Sequence, residues 1–340
     1  MIYPGQAAAK AGEVQVEFTQ QLPIHRTVQT VPQVKGVGDI NADVLVLQRP
    51  LHRVVAQSIP FWQKKGIPVV VDVDDDFSSL HPSNKAWALY HPKYNQEENW
   101  NWMKQAAAAA DLVITSTPAL ADRYGGRGNA IVIENYVPEE YLTLPRRGDG
   151  RTLGWGGFVS FHGDDLEVTR GGVAMAVASG ECHFLNVGNG IEVARRLGLP
   201  FDDDNGTSPH TGGRQFQDYQ YTLGQLDVGI VPLADTRFNA GKSWLKGLEY
   251  AAAGVPFVAS PVPEYVRLVR EYGLGYLAND RAKDWKKSIL SLFTDDSLRE
   301  SLSRRYRDII RMDLTYEKNW WRWAEAWESV LESRIKKAIA

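Results

Sequence analysis

The chain has almost no cysteine: one thiol, Cys182, in 340 residues. That excludes an intrachain disulfide framework and any cysteine-rich zinc site. Beside His183 and at the start of an apolar run, Cys182 reads as a buried strand-edge thiol rather than a nucleophile. No apolar run approaches the ~20 residues needed to cross a bilayer, so no membrane span is expected. The opening Met-Ile-Tyr-Pro-Gly lacks the charged and apolar regions of a secretion signal, which predicts a cytoplasmic protein. A basic excess is missing too: 38 Lys and Arg against 41 Asp and Glu give a formal charge of −3. This removes a global attraction to nucleic acid, though a local basic groove stays open.

What is present is a chain with 44% hydrophobic residues, enough for one or two substantial cores, and two domains are expected. Asp43-Val-Leu-Val-Leu-Gln48, a helical pattern near His52 to Lys65, and Ile67-Pro-Val-Val-Val-Asp-Val73 form a βαβ signature. Leu112-Val-Ile-Thr115 and Ile131-Val-Ile133 continue it as a parallel sheet. The first forty residues are less regular, with alternation over Val14–Phe18 and turn signals at Pro23, Pro32 and Gly36–Gly38, and read as a strand plus loops. After a polar, glycine-rich linker, Leu144–Gly150, the alternation restarts with Thr152–Trp155, His183–Val187, Val228–Val231 and Phe257–Ala259. The C-terminal end is helical: Leu298, Leu302, Tyr306 and Ile310 share one face, and Trp320, Trp323, Trp327 and Leu331 form a second core-facing stripe.

The most informative segment is Phe238-Asn-Ala-Gly-Lys-Ser-Trp-Leu-Lys-Gly-Leu-Glu-Tyr-Ala-Ala-Ala-Gly-Val-Pro-Phe-Val-Ala-Ser260. Asn239, Ala240 and Gly241 are small enough to let backbone N–H groups approach an anion, and Lys242 and Ser243 stand where a helix begins. Gly254-Val-Pro256 stops that helix before a buried strand. Glu249 lies seven residues past Lys242, two turns along nearly the same face, where a carboxylate can hold ribose hydroxyls of a nucleotide whose phosphates sit at the helix start. The plainer reading makes Lys242 and Glu249 solvated charges on an amphipathic helix.

This run resembles the donor-binding motif of GT-B glycosyltransferases similar to glycosyltransferase family 4, particularly short forms found in phages and surface-polysaccharide clusters. Leu153-Gly-Trp-Gly-Gly-Phe-Val-Ser-Phe-His162-Gly-Asp-Asp165-Leu166 resembles the opening of that family's C-terminal domain, and Ala110–Leu120 with Asn129–Pro138 resembles the end of its N-terminal domain. The resemblance implies an α/β fold of two doubly wound Rossmann-like domains facing a central cleft. The N-terminal acceptor domain would span residues 1–148 and the donor domain 149–314, with a helix at 315–340 crossing back. It also implies donor contacts at Gly156, Gly157 and His162, although His162 is equally suited to a capping role. One departure stands out: where many members carry the first of two glutamates, this chain has Gly241.

The acidic run Asp72-Val-Asp-Asp-Asp76 follows an apolar strand and so emerges at its carboxyl end. Crowded carboxylates need solvent, a cation or hydroxyls. A solvated loop, an acceptor-side site and an Asp-x-Asp metal site all fit; the last would suit a GT-A enzyme. His81, Trp87, Tyr90, His91, Tyr94, Trp100 and Trp102 then crowd one stretch, as an acceptor lip or as packing.

The expected activity is transfer of a hexose-like sugar from a nucleotide diphosphate sugar, UDP foremost, to a saccharide or lipid-linked saccharide. Asp74, Asp76 or His81 would take the acceptor proton, the anomeric configuration would be retained, and neither magnesium nor manganese would be obligatory. The rival acceptor is a hydroxymethylated base in phage DNA, suggested by the basic run Arg304, Arg305, Arg307 and Arg311. A nucleotide-sugar-binding protein without catalytic activity is the non-enzymatic alternative.

Overall fold

The structure, a computed structural model, describes residues 2–12, 42–157, 162–188, 190–200 and 216–339. The strand expected over Val14–Phe18, the turns at Pro23, Pro32 and Gly36–Gly38, and Phe158–Phe161 lie outside these residues. The reading of the amino-terminal region as strand plus loops needs one correction: Ile2–Ala11 is a helix. Its Gln-Ala-Ala-Ala-Lys-Ala stretch has high helix propensity, which outweighs Pro4 and Gly5 in the first turn, where proline is tolerated.

Among the described residues two parallel sheets are present. The first has strands β1 (Leu45–Gln48), β2 (Val69–Val73), β3 (Leu112–Thr115) and β4 (Ala130–Val132), side by side in that order. Valine-rich runs suit strands covered on both faces. Val69, Val71, Val73 and Val113 pack into one core with Ala56, Ile59 and Trp62 of the helix Arg53–Lys64 and Met103, Ala106 and Ala107 of the helix Trp100–Ala109. The alternate residues Val70, Leu112 and Ile114 belong to the other core, with Ala7 and Ala8 of the amino-terminal helix and Trp323 of the carboxyl-terminal one. The two chain ends therefore cover the face that the crossover helices leave open.

The second sheet has strands β5 (Thr152–Gly157), β6 (His183–Gly188), β7 (Val228–Val231), β8 (Phe257–Ala259) and β9 (Tyr276–Leu277), in the order β6-β5-β7-β8-β9. The chain moves outward from β5 to β6, then returns to the other side of β5 as β7. That reversal makes the carboxyl ends of β5 and β7 a switch point, the place where such sheets open a ligand crevice.

The connecting segment is pinned to the second sheet: Arg146 donates to Gly254 O at 2.8 Å and Ser303 Oγ at 2.9 Å and pairs with Asp227 at 3.2 Å. The final helix, Trp321–Ile339, returns to the first domain, where Arg334 donates to Gln63 O at 2.7 Å. Trp323 and Trp327 are buried, so the aromatic stripe is packing. Cys182 is buried as well, and burial pushes its thiol up to about 11, which leaves it a poor nucleophile.

Candidate functional site

The loop after β7 faces the ends of β2 and β3. It is a short 3-10 turn, Asn239–Gly241, followed by extended Lys242 and, after Ser243 and Trp244, the helix Leu245–Ala252. The N-cap residue Trp244 makes no side-chain cap bond, and Gly247 N donates to Tyr265 Oη at 3.2 Å, so the N–H groups of Leu245 and Lys246 are the ones of a kind that receives an anion. Trp244 is buried and donates from Nε1 to Asn135 O at 3.0 Å, Asn135 Nδ2 donates to Ser243 Oγ at 2.9 Å, and Thr117 Oγ1 donates to Gly241 O at 3.1 Å. Three contacts thus seat the motif of the second domain directly on residues at the end of the first sheet.

Lys242 crosses the same gap. Its Nζ lies 4.7 Å above the Phe238 ring and 3.9 Å from Asp75 Oδ1. Asp75 also receives Arg49 Nη2 at 3.4 Å, and burial is the main influence raising its carboxyl above the ordinary value. Asp74 takes Arg49 Nε and Nη2 in a two-bond fork. Asp76 is only 1% exposed and accepts from the Ser78 and Ser79 hydroxyls, from Tyr124 Oη at 3.0 Å and from Arg123 Nη1 at 3.1 Å. Burial acts against the charged form there, but those donors outweigh it and hold the carboxyl below its usual value. Asp72 and Asp74 line a space of about 30 Å³ that Pro4, Tyr316 and Trp323 close over. His81 is exposed, with Nδ1 2.8 Å from Ser83 Oγ; a Cβ placed on Gly163 would lie 3.3 Å from that oxygen, so the His81–Ser83 turn abuts the second domain. The aromatic residues after it stack on one another, His91 being 4.4 Å from Trp87 and 4.8 Å from Trp100 between ring centres, while Tyr94 stays exposed.

At the end of β5, Gly156 and Gly157 leave room for two rings. A Cβ on Gly156 would sit 3.0 Å from Tyr219, and one on Gly157 would sit 3.2 Å from His162 Nε2. His162 Nδ1 meets Asp165 Oδ2 at 3.0 Å; burial outweighs the bonding to Asp165 and keeps the imidazole below its ordinary pKa. The other Asp165 oxygen accepts from Ala234 N at 2.9 Å and Asn239 Nδ2 at 2.6 Å, so one buried carboxylate ties the His162 turn to the Asn239 loop. Asn239 also donates to Ala234 O at 2.9 Å, which makes its amide a brace for the loop. Glu249 accepts from Tyr219 Oη at 3.3 Å, and burial raises its carboxyl pKa. Beside it Lys246, half-buried, donates to Gly156 O and stands 3.4 Å from Tyr219 Oη; burial lowers its pKa.

Gly156, Gly157, His162, Gly241, Lys242, Ser243 and Glu249 are therefore gathered around the switch point of the second sheet and the gap in front of it. Asp74 and Asp76 lie on the first-domain side of that gap but are engaged by Arg49 and by the Tyr124–Arg123 pair. Residues not anticipated are Lys246, Tyr219 and Arg49, while Asp75, Asp165 and Asn135 stood inside the quoted motifs without a role of their own. Lys246 had a faint signal, a charge three residues before Glu249 on the same helix; the others lie far along the chain from the groups they meet. Among the described residues, no group of three or more His, Cys, Asp or Glu side chains is placed to hold a metal ion.

The basic run is largely engaged. Arg307 donates to Leu144 O at 3.0 Å and Ala253 O at 2.9 Å, Arg311 pairs with Asp308 at 2.7 Å, and Arg304 pairs with Glu300 at 3.8 Å. Also among the described residues, no helix is long and apolar enough to cross a membrane.

No protein-family model matches the sequence, and no curated protein matches it. Solved structures do resemble it. TarM superposes with a TM-score of 0.59 at 13% identity, covering 84% of this chain and 54% of TarM, so the chain spans about half of that protein's length. Sucrose-phosphate synthase from Thermosynechococcus elongatus gives 0.60 at 14%, covering 86% of this chain and 74% of that one. Anabaena HepE in complex with UDP and glucose gives 0.58 at 14%, covering 84% and 78%. The three are GT-B glycosyltransferases. With two parallel α/β sheets whose carboxyl ends face one another, this chain has the GT-B fold.

Proposed function

We propose that the protein transfers a sugar from a nucleotide diphosphate sugar to a hydroxyl of a saccharide or lipid-linked saccharide. The observation that carries this reading is the Asn239–Ser243 loop wedged between the sheets, with Lys242 aimed at Asp75 across the gap. The complex of HepE with UDP and glucose supports a UDP-sugar as the donor.

In this reading the diphosphate draws Lys242 from Asp75 and lies against the N–H groups of Leu245 and Lys246 at the start of the Leu245–Ala252 helix, with Ser243 beside it. Lys246 adds a second cation below Gly156, and Glu249 accepts hydroxyl protons of the ribose. His162 borders the sugar. The bond from the anomeric carbon to the phosphate oxygen breaks and the acceptor oxygen bonds to that carbon on the same face of the sugar, while the acceptor proton passes to the Asp74–Asp75 pair. Asp75 is the nearer carboxylate to Lys242, and Asp76 serves as scaffold. His81 lines the acceptor approach. Two lysines and backbone amides balance the leaving diphosphate without an obligatory metal, and the anomeric configuration is retained.

The test is thermal shift with UDP-, GDP-, ADP- and TDP-sugars on the wild type and on Lys242→Ala and Glu249→Ala, since a ligand bound only by the folded form raises its melting point. Loss of one charge-assisted contact of about 1.5–3 kcal/mol lowers nucleotide affinity by roughly 10- to 100-fold. Unchanged affinity in both variants for every nucleotide the wild type binds sinks the donor assignment. Asp75→Asn is expected to keep nucleotide affinity and lose turnover.

A further inference from the structure

A depression of about 380 Å³ lies outside the gap between the domains, on the first domain. It is bounded by Arg53 and Gln57 on one helix, Asn101, Trp102 and Gln105 on another, and the loop through Glu97. Its place follows from topology. The Arg53–Lys64 helix leaves the carboxyl end of β1, and the Trp100–Ala109 helix runs back toward the amino end of β3. Both helices therefore begin at the rim formed by the carboxyl ends of the strands, the rim from which Asp74 and Asp75 project.

The lining is chemically selective. The volume falls within the range of small-ligand sites, but apolar ligands want a mostly apolar wall, and here Trp102 and Pro92 are the apolar surfaces. A phosphate would want uncompensated cations, whereas Arg53 is paired with Glu97 at 3.0 Å. The side-chain amides of Gln57, Asn101 and Gln105 have no hydrogen-bond partner among the described residues. An amide both donates and accepts, as does a sugar hydroxyl, and an aromatic face covers the C–H side of a pyranose. The wall is also held in place. Trp102 Nε1 donates to Gln96 O at 2.8 Å, and buried Asn99 donates to Asn95 O at 2.8 Å while accepting from Asn101 N at 3.0 Å. Such preorganisation lowers the ordering cost of binding.

We propose that this depression is a saccharide-binding site, which holds sugar units of the acceptor remote from the reacting hydroxyl. Assignment of the bound glycan as the acceptor rests on the transferase reading above; assignment of the ligand as a saccharide rests on the depression alone.

The experiment follows the indole N–H resonance of Trp102 in the full chain, identified by its disappearance in Trp102→Phe, during titration with maltotetraose, cellotetraose and tetra-N-acetylchitotetraose. At least one tetrasaccharide is expected to shift that resonance. Its affinity is expected to fall about 5- to 10-fold in the exposed-residue variant Gln57→Ala/Gln105→Ala, a loss of about 1 kcal/mol, while the melting-point rise caused by UDP stays the same. The proposal is overturned if no tetrasaccharide moves the resonance up to about 10 mM, a free energy of only ~3 kcal/mol, or if the double variant binds as the wild type does. Tetrasaccharide binding in a wild type that ignores every nucleotide sugar upholds the saccharide site and sinks the transferase reading; the reverse pattern sinks the site alone.

Discussion

Neighbouring aspartates at the end of β2 meet four different environments, and the differences set their chemistry. Asp74 is matched by a guanidinium fork, Asp76 by hydroxyls and Arg123, and Asp75 by Arg49 and Lys242. Asp72 fares worst: burial first, then the nearby Asp74 charge, push its carboxyl up to about 7. The sign of the consequence is fixed by linkage. Between the unfolded value of about 4 and the folded value of about 7, the folded chain keeps a proton that the unfolded chain releases, so stability falls as pH rises through that window and stays reduced above it. Asp72→Asn removes the titration. The variant should melt with the wild type near pH 4, diverge upward through pH 7, and stay above it thereafter. After discounting for solvent screening the gain is about 1–2 kcal/mol, a few degrees in melting temperature. Melting curves at four or five pH values check this, and a constant offset at every pH refutes the account of Asp72.

At the scale of elements, the Asn239–Gly241 turn explains why this chain lacks the first glutamate of the resembled motif. A Cβ on Gly241 would lie 3.1 Å from Arg123 Nη1 and 3.3 Å from Leu120 Cδ2, on the helix Pro118–Tyr124. Arg123 cannot swing aside freely, because it is paired with buried Asp76, and Thr117 at the start of the same helix donates to Gly241 O. The glycine is thus a seat for the first domain. Gly241→Ala should cost about 1 kcal/mol from overpacking. Gly241→Glu should lower the melting temperature by several degrees and weaken UDP binding, because it pries the helix from the loop. A Gly241→Glu protein that is as stable as the wild type and binds UDP more tightly would show that packing is not what keeps glycine here.

Most of the elements around this turn could be read from residue patterns, for stated reasons. Buried parallel strands are unbroken apolar runs, so Val228–Val231 and Phe257–Ala259 appear where the pattern places them. Gly254-Val-Pro256 stops the preceding helix, which ends at Ala252. The site was legible where its parts are contiguous, from Gly241 to Glu249. It was not legible where the partner comes from elsewhere. Nothing near Asp76 announces Tyr124, 48 positions on, and nothing near Asp165 announces Asn239, 74 positions on. Lys246 looks like one more surface charge until Tyr219 and the end of β5 close around it. Asp165 precedes a four-residue 3-10 turn without capping it, and spends its carboxylate on the opposite loop.

For the whole molecule, one carboxylate joins three parts of the chain. Glu134, just past β4, accepts from Arg267 of the helix Pro263–Tyr272 at 3.0 Å and from Arg322 of the final helix at 2.6 Å. Arg322 also donates to Val132 O at 3.2 Å, and the Arg267 guanidinium lies 4.1 Å over Trp244, whose indole N–H holds Asn135. The loop carrying Trp244, the end of the first sheet and the returning helix therefore share one charge network. Removing Glu134 takes away the acid that Arg322 and Arg267 share and leaves Arg267 to Glu264, at 2.7 Å, alone, whereas removing Arg322 leaves the Arg267–Glu134 pair intact. Breaking a buried pair costs up to 3–5 kcal/mol; with groups this accessible, Glu134→Ala should cost about 2–4 kcal/mol, a fall of roughly 4–16 °C at ~2–4 °C per kcal/mol. Because interfaces between domains of one chain are small and polar, the loss should fall on the junction. Calorimetry is expected to show the single transition of the wild type broaden or divide in Glu134→Ala, with UDP raising only the component that contains the second domain. Arg322→Ala should shift the curve less and leave it undivided. If Glu134→Ala melts as one transition at the wild-type temperature, the other contacts between the domains, Trp244–Asn135, Ser243–Asn135 and Thr117–Gly241 among them, suffice to hold them together, and the network at Glu134 is incidental to their orientation.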